Sequence, residues 1–347
     1  MRIGFFTDSY FPEVDGVTYT LKTWRDRLEE RGHEVHIVYP GSPEYSGTER
    51  EIPVKSVPNP FYEGYRIPAP SCVDIEFDIV HCHSPATLGV AGRFQAWKRG
   101  VPAVYTHHTP LEEYFVQVVK SEGIARLLGR PYVWLENRFL ETFDRVTAST
   151  DDLNRSPDHV KLPVGVDTRF FKPQESSILE DMDLEGPVAG YSGRLSTEKN
   201  VDQVMAFAER FDGDVVVVGE GPQEIRIKAM APENVTFRDW LERDELPGFY
   251  SSLDVFVTAS EGDTLGLSPL EANACGTPVV AADNFPFDET IGLENGFRFE
   301  PGDIGDMLDK VQQALSSELE PRSEVKKYSM EKTIDRLEQL YGELDGG

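Results

Sequence analysis

The chain has 347 residues, 39% of them hydrophobic, so two domains with separate cores are expected rather than one. Its 61 acidic residues against 34 basic ones give a formal net charge of −27, which repels nucleic acid and opposes wholesale binding to an anionic membrane. Apolar runs are of strand length, and three scattered cysteines (Cys72, Cys82, Cys275) form neither a disulfide framework nor a CxxC metal site.

Only 12 of the basic residues are lysines. An acid-rich, lysine-poor surface is one that stays soluble at high salt, where charge repulsion is screened, so a halophilic, haloarchaeal source is expected. A strand pattern that begins at residue 2 leaves no room for a leader segment, and a cytoplasmic location follows as an expectation.

Met1–Phe6 reads as an opening strand, residues 7–16 as the loop after it, and Val17–Arg31 as a helix with Val17, Leu21, Trp24 and Leu28 on one face, stopped by Gly32. Val35–Tyr39 is the second strand. This β–loop–α–β opening is Rossmann-like. Its loop lacks a full G-x-G-x-x-G, yet Gly16 at the helix mouth can present amides to a phosphate. Residues 40–74 hold seven prolines and read as irregular, with one short strand at Val54–Val57. Asp78–His83 is a strand entering a loop, Pro85–Lys98 a helix, and Val101–Thr106 a strand that delivers His107 and His108 at its carboxyl end.

Residues 111–142 are helical and carry Lys120, Arg126, Arg130 and Arg138 among Leu127, Leu128, Tyr132, Val133, Trp134 and Leu135. Such a stretch is either an ordinary amphipathic helix pair or a surface that meets a lipid head group. Strands follow at Arg145–Ser149 and His159–Pro163. The polar run 173–186 is expected to link an N-terminal domain (1–172, rejoined by a C-terminal helix over 326–347) to a C-terminal domain (187–325). In the second domain, strands are expected at 187–192, 214–218, 235–237, 254–257 and 278–281, with helices over 201–211, 266–274 and 305–317. The fold class is therefore α/β, with two Rossmann-like domains facing across a cleft.

The most informative stretch is Thr258–Asp283. A strand is followed by a loop rich in Gly, Ser and Asp, a helix, and Gly276 where a left-handed C-cap belongs. The helix start leaves the N–H groups around Gly266 to Ser268 without intrahelical partners, and with the helix dipole they favour an anion. Asp263 and Glu271 lie eight residues apart, a spacing that suits two carboxylates gripping different parts of one elongated, hydroxyl-bearing ligand. The plain alternative makes Asp263 a helix cap and Glu271 a surface residue. Arg194 and Lys199, in the loop after the 187–192 strand, can neutralise a diphosphate, or can be a solvated pair with Glu198. Histidines at 81, 83, 107 and 108 invite a zinc reading, but no carboxylate completes a ligand set there, and one histidine touching substrate is the better fit. Asp212-Gly-Asp214 matches a D-x-D pattern but precedes its strand and reads as a turn.

Taken together, M-R-I-G-F-F-T-D-S-Y-F-P-E-V-D-G-V, H-C-H-S-P, Y-T-H-H-T, L-P-V-G-V-D-T-R-F-F, Y-S-G-R-L-S-T-E-K-N, V-V-G-E-G-P and L-G-L-S-P-L-E-A-N-A-C-G-T-P-V-V-A resemble family-four retaining glycosyltransferases of the GT-B architecture, over almost the whole chain. The resemblance implies that Gly16, Arg194 and Lys199 bind the diphosphate of a nucleotide sugar and that Leu265, Gly266 and Leu267 belong to the same donor site. It also implies that Glu271 holds the ribose and that His108 contacts the sugar near the reacting carbon. Asp263 takes the place of the first acid of an E-x7-E motif, Glu261 having the wrong spacing, and His107 stands where an aromatic is usual.

The implied function is hexose transfer from a nucleotide-diphosphate sugar, with retention and without a metal or other cofactor. The H-S-P and H-H-T segments are most like members with lipid or lipid-linked acceptors, and peripheral membrane contact through 111–142 would fit them. A sugar-nucleotide epimerase or hydrolase, or a non-catalytic sugar-nucleotide-binding subunit, remain as alternatives.

Overall fold

The computed structural model describes residues 1–13, 15–60, 65–108, 122–150, 159–176, 178–180, 182 and 184–346, with the backbone alone over 122–130. The chain divides into two compact units, Met1–Val164 with Glu331–Gly347, and Gly165–Met330.

In the first unit the chain runs β1 (Arg2–Phe6), α1 (Gly16–Glu30), β2 (Glu34–Pro40), β3 (Glu51–Val54), β4 (Ser56–Pro58), β5 (Arg66–Pro68), β6 (Ile79–Cys82), α2 (Thr87–Arg99), β7 (Ala103–His107), α3 (Glu122–Leu140), β8 (Arg145–Ala148) and β9 (Val160–Lys161). Seven strands form a parallel sheet in the order β3-β2-β1-β6-β7-β8-β9, and β4 and β5 pair separately as an antiparallel ribbon. β6 and β7 are buried throughout, as strands with helices on both faces must be. From β1 the chain first moves toward β2, whereas from β6 it moves the other way. Right-handed crossovers therefore put α1 on one face of the sheet and α2 with α3 on the other. The expected strand at 54–57 is divided, because Lys55 separates β3 from β4 and Pro53 and Pro58 cannot donate to a ladder.

The second unit runs β10 (Val188–Ser192), α4 (Val201–Ala208), β11 (Asp214–Val218), α5 (Glu224–Met230), β12 (Val235–Arg238), α6 (Leu246–Ser251), β13 (Val255–Thr258), α7 (Leu267–Ala274), β14 (Val279–Ala282), α8 (Phe287–Thr290), β15 (Gly296–Phe299), α9 (Ile304–Ser316) and α10 (Pro321–Val325). Its strands make a parallel sheet in the order β12-β11-β10-β13-β14-β15. Val201, Val204, Met205 and Phe207 of α4 and Met307, Val311 and Ala314 of α9 share one core with Val215, Val217, Val255, Val257 and Val280. α5, α6, α8 and β15 were not foreseen. They are short, and α6 opens with Pro247-Gly248, a pair that reads as a turn until tertiary packing buries it.

The last helix, α11 (Met330–Asp345), returns to the first unit, where it buries Ile334, Leu337 and Tyr341. Thr333 Oγ1 donates to the Pro163 carbonyl at 2.8 Å, and Arg31 pairs with Asp335 at 2.6 Å.

Each sheet has one point at which the strand order reverses, β1/β6 in the first and β10/β13 in the second. In open α/β sheets ligands bind beyond the carboxyl ends of the strands at such points. Gly16 and His83 follow β1 and β6. Arg194 with Lys199, and Asp263 with Gly266, follow β10 and β13. Within each unit, taken by itself, the topology alone therefore places the residues singled out from the sequence at the ligand-binding edge of its sheet.

Candidate active site

In the second unit the loops after β10, β11 and β13 interlock. Leu195 N–H donates to the Glu220 carbonyl at 2.9 Å, Gln223 N–H donates to Leu195 at 2.8 Å, and Glu261 N–H donates to Glu198 at 2.9 Å. Gly219 permits this: with φ +131, a Cβ there would collide with the Gly193 carbonyl.

Gly266 is the N-cap of α7 at φ 72, and no side chain caps the helix. A Cβ on Gly266 would sit 2.6 Å from the Phe287 ring. The first amides of α7 are thus presented without a competing side-chain acceptor, with Leu265 buried just before them. Asp263 is therefore not the cap of α7. Its Oδ1 accepts from Lys199 Nζ at 2.7 Å, both side chains being about one-fifth exposed (22% and 20%). Lys199 is paired with Asp263 rather than with Glu198, whose carboxylate accepts from Ser196 Oγ at 2.5 Å. Arg194 is exposed in the same loop.

Glu271 is not a surface residue. Its Oε2 accepts from the buried Tyr250 hydroxyl at 3.1 Å, and that hydroxyl is 2.8 Å from Ser192 Oγ at the end of β10. Burial raises the Glu271 carboxyl from 4.5 to about 7, against the opposing pull of Arg243 and of the Tyr250 hydrogen bond. Tyr250 was missed from the sequence, where nothing in its spacing marks it. It joins β10 to α7 and so fixes the carboxylate.

The D-x-D segment is structural: Asp214 Oδ2 accepts from Glu185 N–H at 2.5 Å, at the amino end of β11 and away from the site loops.

In the first unit, α1 opens at Gly16, which is exposed. Asp15 caps this helix, its Oδ1 accepting from Thr18 N–H at 2.7 Å, while Oδ2 accepts from Ser9 Oγ at 2.7 Å and from Tyr65 at 3.2 Å. A carboxylate thus already serves one amide of this turn, so an anion at Gly16 meets a more acidic mouth than the one at Gly266.

His81, His83 and His108 gather over Trp24 and Phe5. The rings of His81 and His83 lie 4.2 Å apart, those of His83 and His108 5.3 Å. The period of two along a strand puts His81 and His83 on one face. Burial lowers His108 to about 3, with His107 adding to the effect, and lowers His81 and His83 well below 6.5, so all three are neutral imidazoles. His107 faces the other way, its Nε2 3.5 Å from the Glu136 carboxylate of α3 in a buried setting. That polar neighbour accounts for a histidine where an aromatic is usual.

The basic, apolar stretch is described in part: Lys120 lies outside the described residues, as do the side chains of Arg126 and Arg130. Trp134 and Leu135 are 66% and 62% exposed. On the same face of the sheet, α2 exposes Val90, Phe94 and Trp97, the last by 69%, in an i, i+4, i+7 stripe that was not singled out from the sequence. Among the described residues no helix is long and apolar enough to cross a membrane.

Comparison with known proteins identifies the family. Residues 14–156 match the family described as Glycosyltransferase Family 4, and residues 178–332 match Glycosyl transferases group 1. The chain is 30% identical over 367 residues to the sulfoquinovosyl transferase SQD2 of Arabidopsis thaliana, covering 96% of this chain and 70% of that protein. It is 29% identical over 320 residues to the alpha-monoglucosyldiacylglycerol synthase of Streptococcus pneumoniae, covering 82% of this chain and 71% of that protein. A solved sucrose-phosphate synthase from Thermosynechococcus elongatus shares the fold over 99% of this chain and 98% of its own, with a TM-score of 0.75 at 18% identity. The chain belongs to the group 1 glycosyltransferases of the GT-B fold.

Proposed function

We propose that this hexosyltransferase moves a hexose from a nucleoside-diphosphate sugar to a lipid acceptor, with retention at the anomeric carbon and with no metal in the transfer. The observation that carries the donor half is the open amide mouth of α7, flanked by Lys199–Asp263 on one side and the Tyr250-held Glu271 on the other. A diphosphate takes the amides of Leu265, Gly266 and Leu267 and the cations Arg194 and Lys199. Glu271 accepts from the ribose hydroxyls, and Asp263 addresses the sugar once the diphosphate takes Lys199. Gly16 offers a further backbone contact to the diphosphate, and neutral His108 hydrogen-bonds the sugar near the reacting carbon.

In the reaction the bond from the anomeric carbon to the diphosphate oxygen breaks and a bond from the acceptor oxygen to that carbon forms. The acceptor proton passes to the departing diphosphate. Charge on the leaving group is met by fixed amides and cations, which is where preorganised electrostatics contributes most.

The lipid acceptor is supported by the diacylglycerol relative and by the exposed apolar stripes of α2 and α3. These stripes give the enzyme a peripheral hold on the membrane where its acceptor lies. The acid-rich surface fits work in concentrated salt.

The test is to incubate the protein, in strong salt with excess chelator, with GDP- and UDP-hexoses and with or without diacylglycerol vesicles. Nucleoside diphosphate released only with lipid, matched by an α-linked glycolipid in the proton NMR spectrum, is expected. Release to water alone, conversion of the donor to an isomer, or loss of turnover on chelation would overturn the corresponding part of the reading.

A further inference from the structure

The histidines that end β6 and β7 carry a proton arrangement that can be worked out bond by bond. The Tyr341 hydroxyl lies 2.6 Å from His81 Nδ1 and has no other hydrogen-bond partner among the described residues, so it donates there. His81 is thereby the Nε2–H tautomer, and its Nε2 donates to Thr106 Oγ1 at 2.6 Å. Thr106 Oγ1 in turn lies 2.7 Å from Thr147 Oγ1, a pair in which either hydroxyl can donate. His81 is thus fully served, by a strand neighbour on one side and by α11 on the other.

His83 is not. Its Nδ1 lies 3.0 Å from His108 Nε2, while its Nε2 is buried with no hydrogen-bond partner among the described residues. Two assignments satisfy the 3.0 Å contact. If His108 donates, His83 must carry its proton on Nε2, leaving a buried N–H with no acceptor among those residues. If His83 donates from Nδ1, its Nε2 is a buried lone pair without a donor among those residues, in a ring packed against those of His81 at 4.2 Å, Phe5 at 4.8 Å and Trp24 at 5.8 Å. Buried N–H groups without an acceptor are rarer than unserved acceptors, so the second assignment is preferred.

We propose that His83 is a positioning residue: by donating from Nδ1 to His108 Nε2 it fixes His108 as the Nδ1–H tautomer, a neutral donor directed at the sugar. His108 is 9% exposed, at the edge of the buried cluster, and Nδ1 is the nitrogen left to donate once Nε2 accepts from His83. Neutral donation suits this buried setting, where desolvation disfavours an imidazolium and a neutral N–H can still hydrogen-bond a sugar hydroxyl. Trp24 holds the arrangement from below, its own Nε1 donating to the Val164 carbonyl at 2.8 Å. The inference rests on the sugar-transfer reading of His108.

The test uses the full-length protein labelled with ¹⁵N at histidine, with long-range proton–nitrogen correlations that tell a protonated ring nitrogen from an unprotonated one. His108 is assigned by its loss in His108→Leu. Wild type is expected to show His108 Nε2 unprotonated and Nδ1 protonated at neutral pH. His83→Leu is expected to shift His108 toward the Nε2–H tautomer and to lower kcat about tenfold or more, with KM for the nucleotide sugar within about twofold. His83→Asn places an amide nitrogen where Nδ1 stood and restores both, whereas His83→Gln, with its nitrogen at the Nε2 position, does not. That contrast stands even if His83→Leu fails to fold. A wild-type spectrum with His108 protonated on Nε2, or equal kcat for the Asn and Gln variants, overturns the proposal. If the tautomer is as stated but His108→Leu leaves turnover intact, the role of His108 in transfer is what fails. If His108→Leu abolishes turnover and the tautomer is reversed, the pairing fails while the site stands.

Discussion

Glu271 gives the most quantitative handle on the site. Its carboxyl rises from 4.5 to about 7 on folding, the main cause being burial beside Tyr250 and α7. Each unit is worth about 1.4 kcal/mol, so holding this group ionised costs the fold about 3 kcal/mol, an upper bound on what can be recovered. Because the folded value lies above the unfolded one, the protonated group is the stabilised form. Its contribution is fully present below about pH 4.5 and is lost as pH rises through about 7.

Glu271→Gln keeps the size and the contact with Tyr250 but cannot ionise. Urea denaturation of the two proteins at constant salt should therefore give equal stability near pH 4.5, and the Gln variant should lead by about 2–3 kcal/mol at pH 8. Binding runs the other way, because ribose hydroxyls need the ionised carboxylate as acceptor. With a value near 7, about one molecule in ten is competent at pH 6, so wild-type affinity for nucleoside diphosphate should fall about tenfold from pH 8 to pH 6. Titration calorimetry should also show proton release on binding, and Glu271→Gln should bind weakly at both pH values. A stability difference between the two proteins that stays flat from pH 4.5 to pH 8 would refute the burial argument. A flat binding profile beside a sloping stability difference would remove Glu271 from the ribose.

The Lys199–Asp263 pair separates donor grip from sugar contact. Lys199→Ala should weaken nucleoside diphosphate at least tenfold, or about 1.4 kcal/mol. Asp263→Asn, which removes the carboxylate now holding Lys199 at 2.7 Å, should tighten the diphosphate a few-fold while lowering turnover. Equal weakening in both would make the pair a structural unit instead. Tyr341→Phe leaves the buried His81 Nδ1 unserved, so the urea midpoint should drop by the equivalent of about 1–3 kcal/mol with an unchanged slope. An unchanged midpoint would show that His81 finds another donor.

Much of this was legible because parallel sheets announce themselves. Short buried runs such as Val215–Val218, separated by glycine-bearing loops and helices, permit few other architectures, and the ends of those runs are where ligands bind. What the spacing could not show was who pairs with whom. Glu198 is adjacent to Lys199 in sequence, yet the loop turns at Asn200, with φ 47, and Lys199 reaches Asp263 instead. Asp263 and Glu271 were read as two acids gripping different parts of one ligand, but one is about one-fifth exposed beside a cation and the other is half-buried against a tyrosine. Tyr250 lies on a six-residue helix whose Pro-Gly opening hides it from periodicity, and its burial is decided by β10 and α7, both distant in sequence. The stripe Val90, Phe94 and Trp97 fits the ordinary pattern of a core-facing helix. It is exposed because α2 buries its other face, with Leu88, Ala91, Gly92 and Ala96, against the sheet.

The net charge of −27 has a consequence at this site that runs against ordinary expectation. A diphosphate on two cations and a helix mouth should bind less tightly as salt rises, because near contacts lose strength. Here the near field and the far field oppose each other. The proposed contacts with Arg194, Lys199 and the amides of α7 act over a few ångströms, whereas the repulsion comes from the chain's net excess of carboxylates at longer range. Screening removes the distant term first, since the Debye length is about 10 Å at 0.1 M salt and about 3 Å at 1 M. Affinity for nucleoside diphosphate should therefore rise between about 0.1 and 1 M KCl, chiefly through a faster association rate, and weaken only at higher salt. Stopped-flow binding at constant pH measures this directly. Association that slows monotonically with salt would mean that the local cations dominate even at a distance, and that the net charge exerts no control over the proposed donor site.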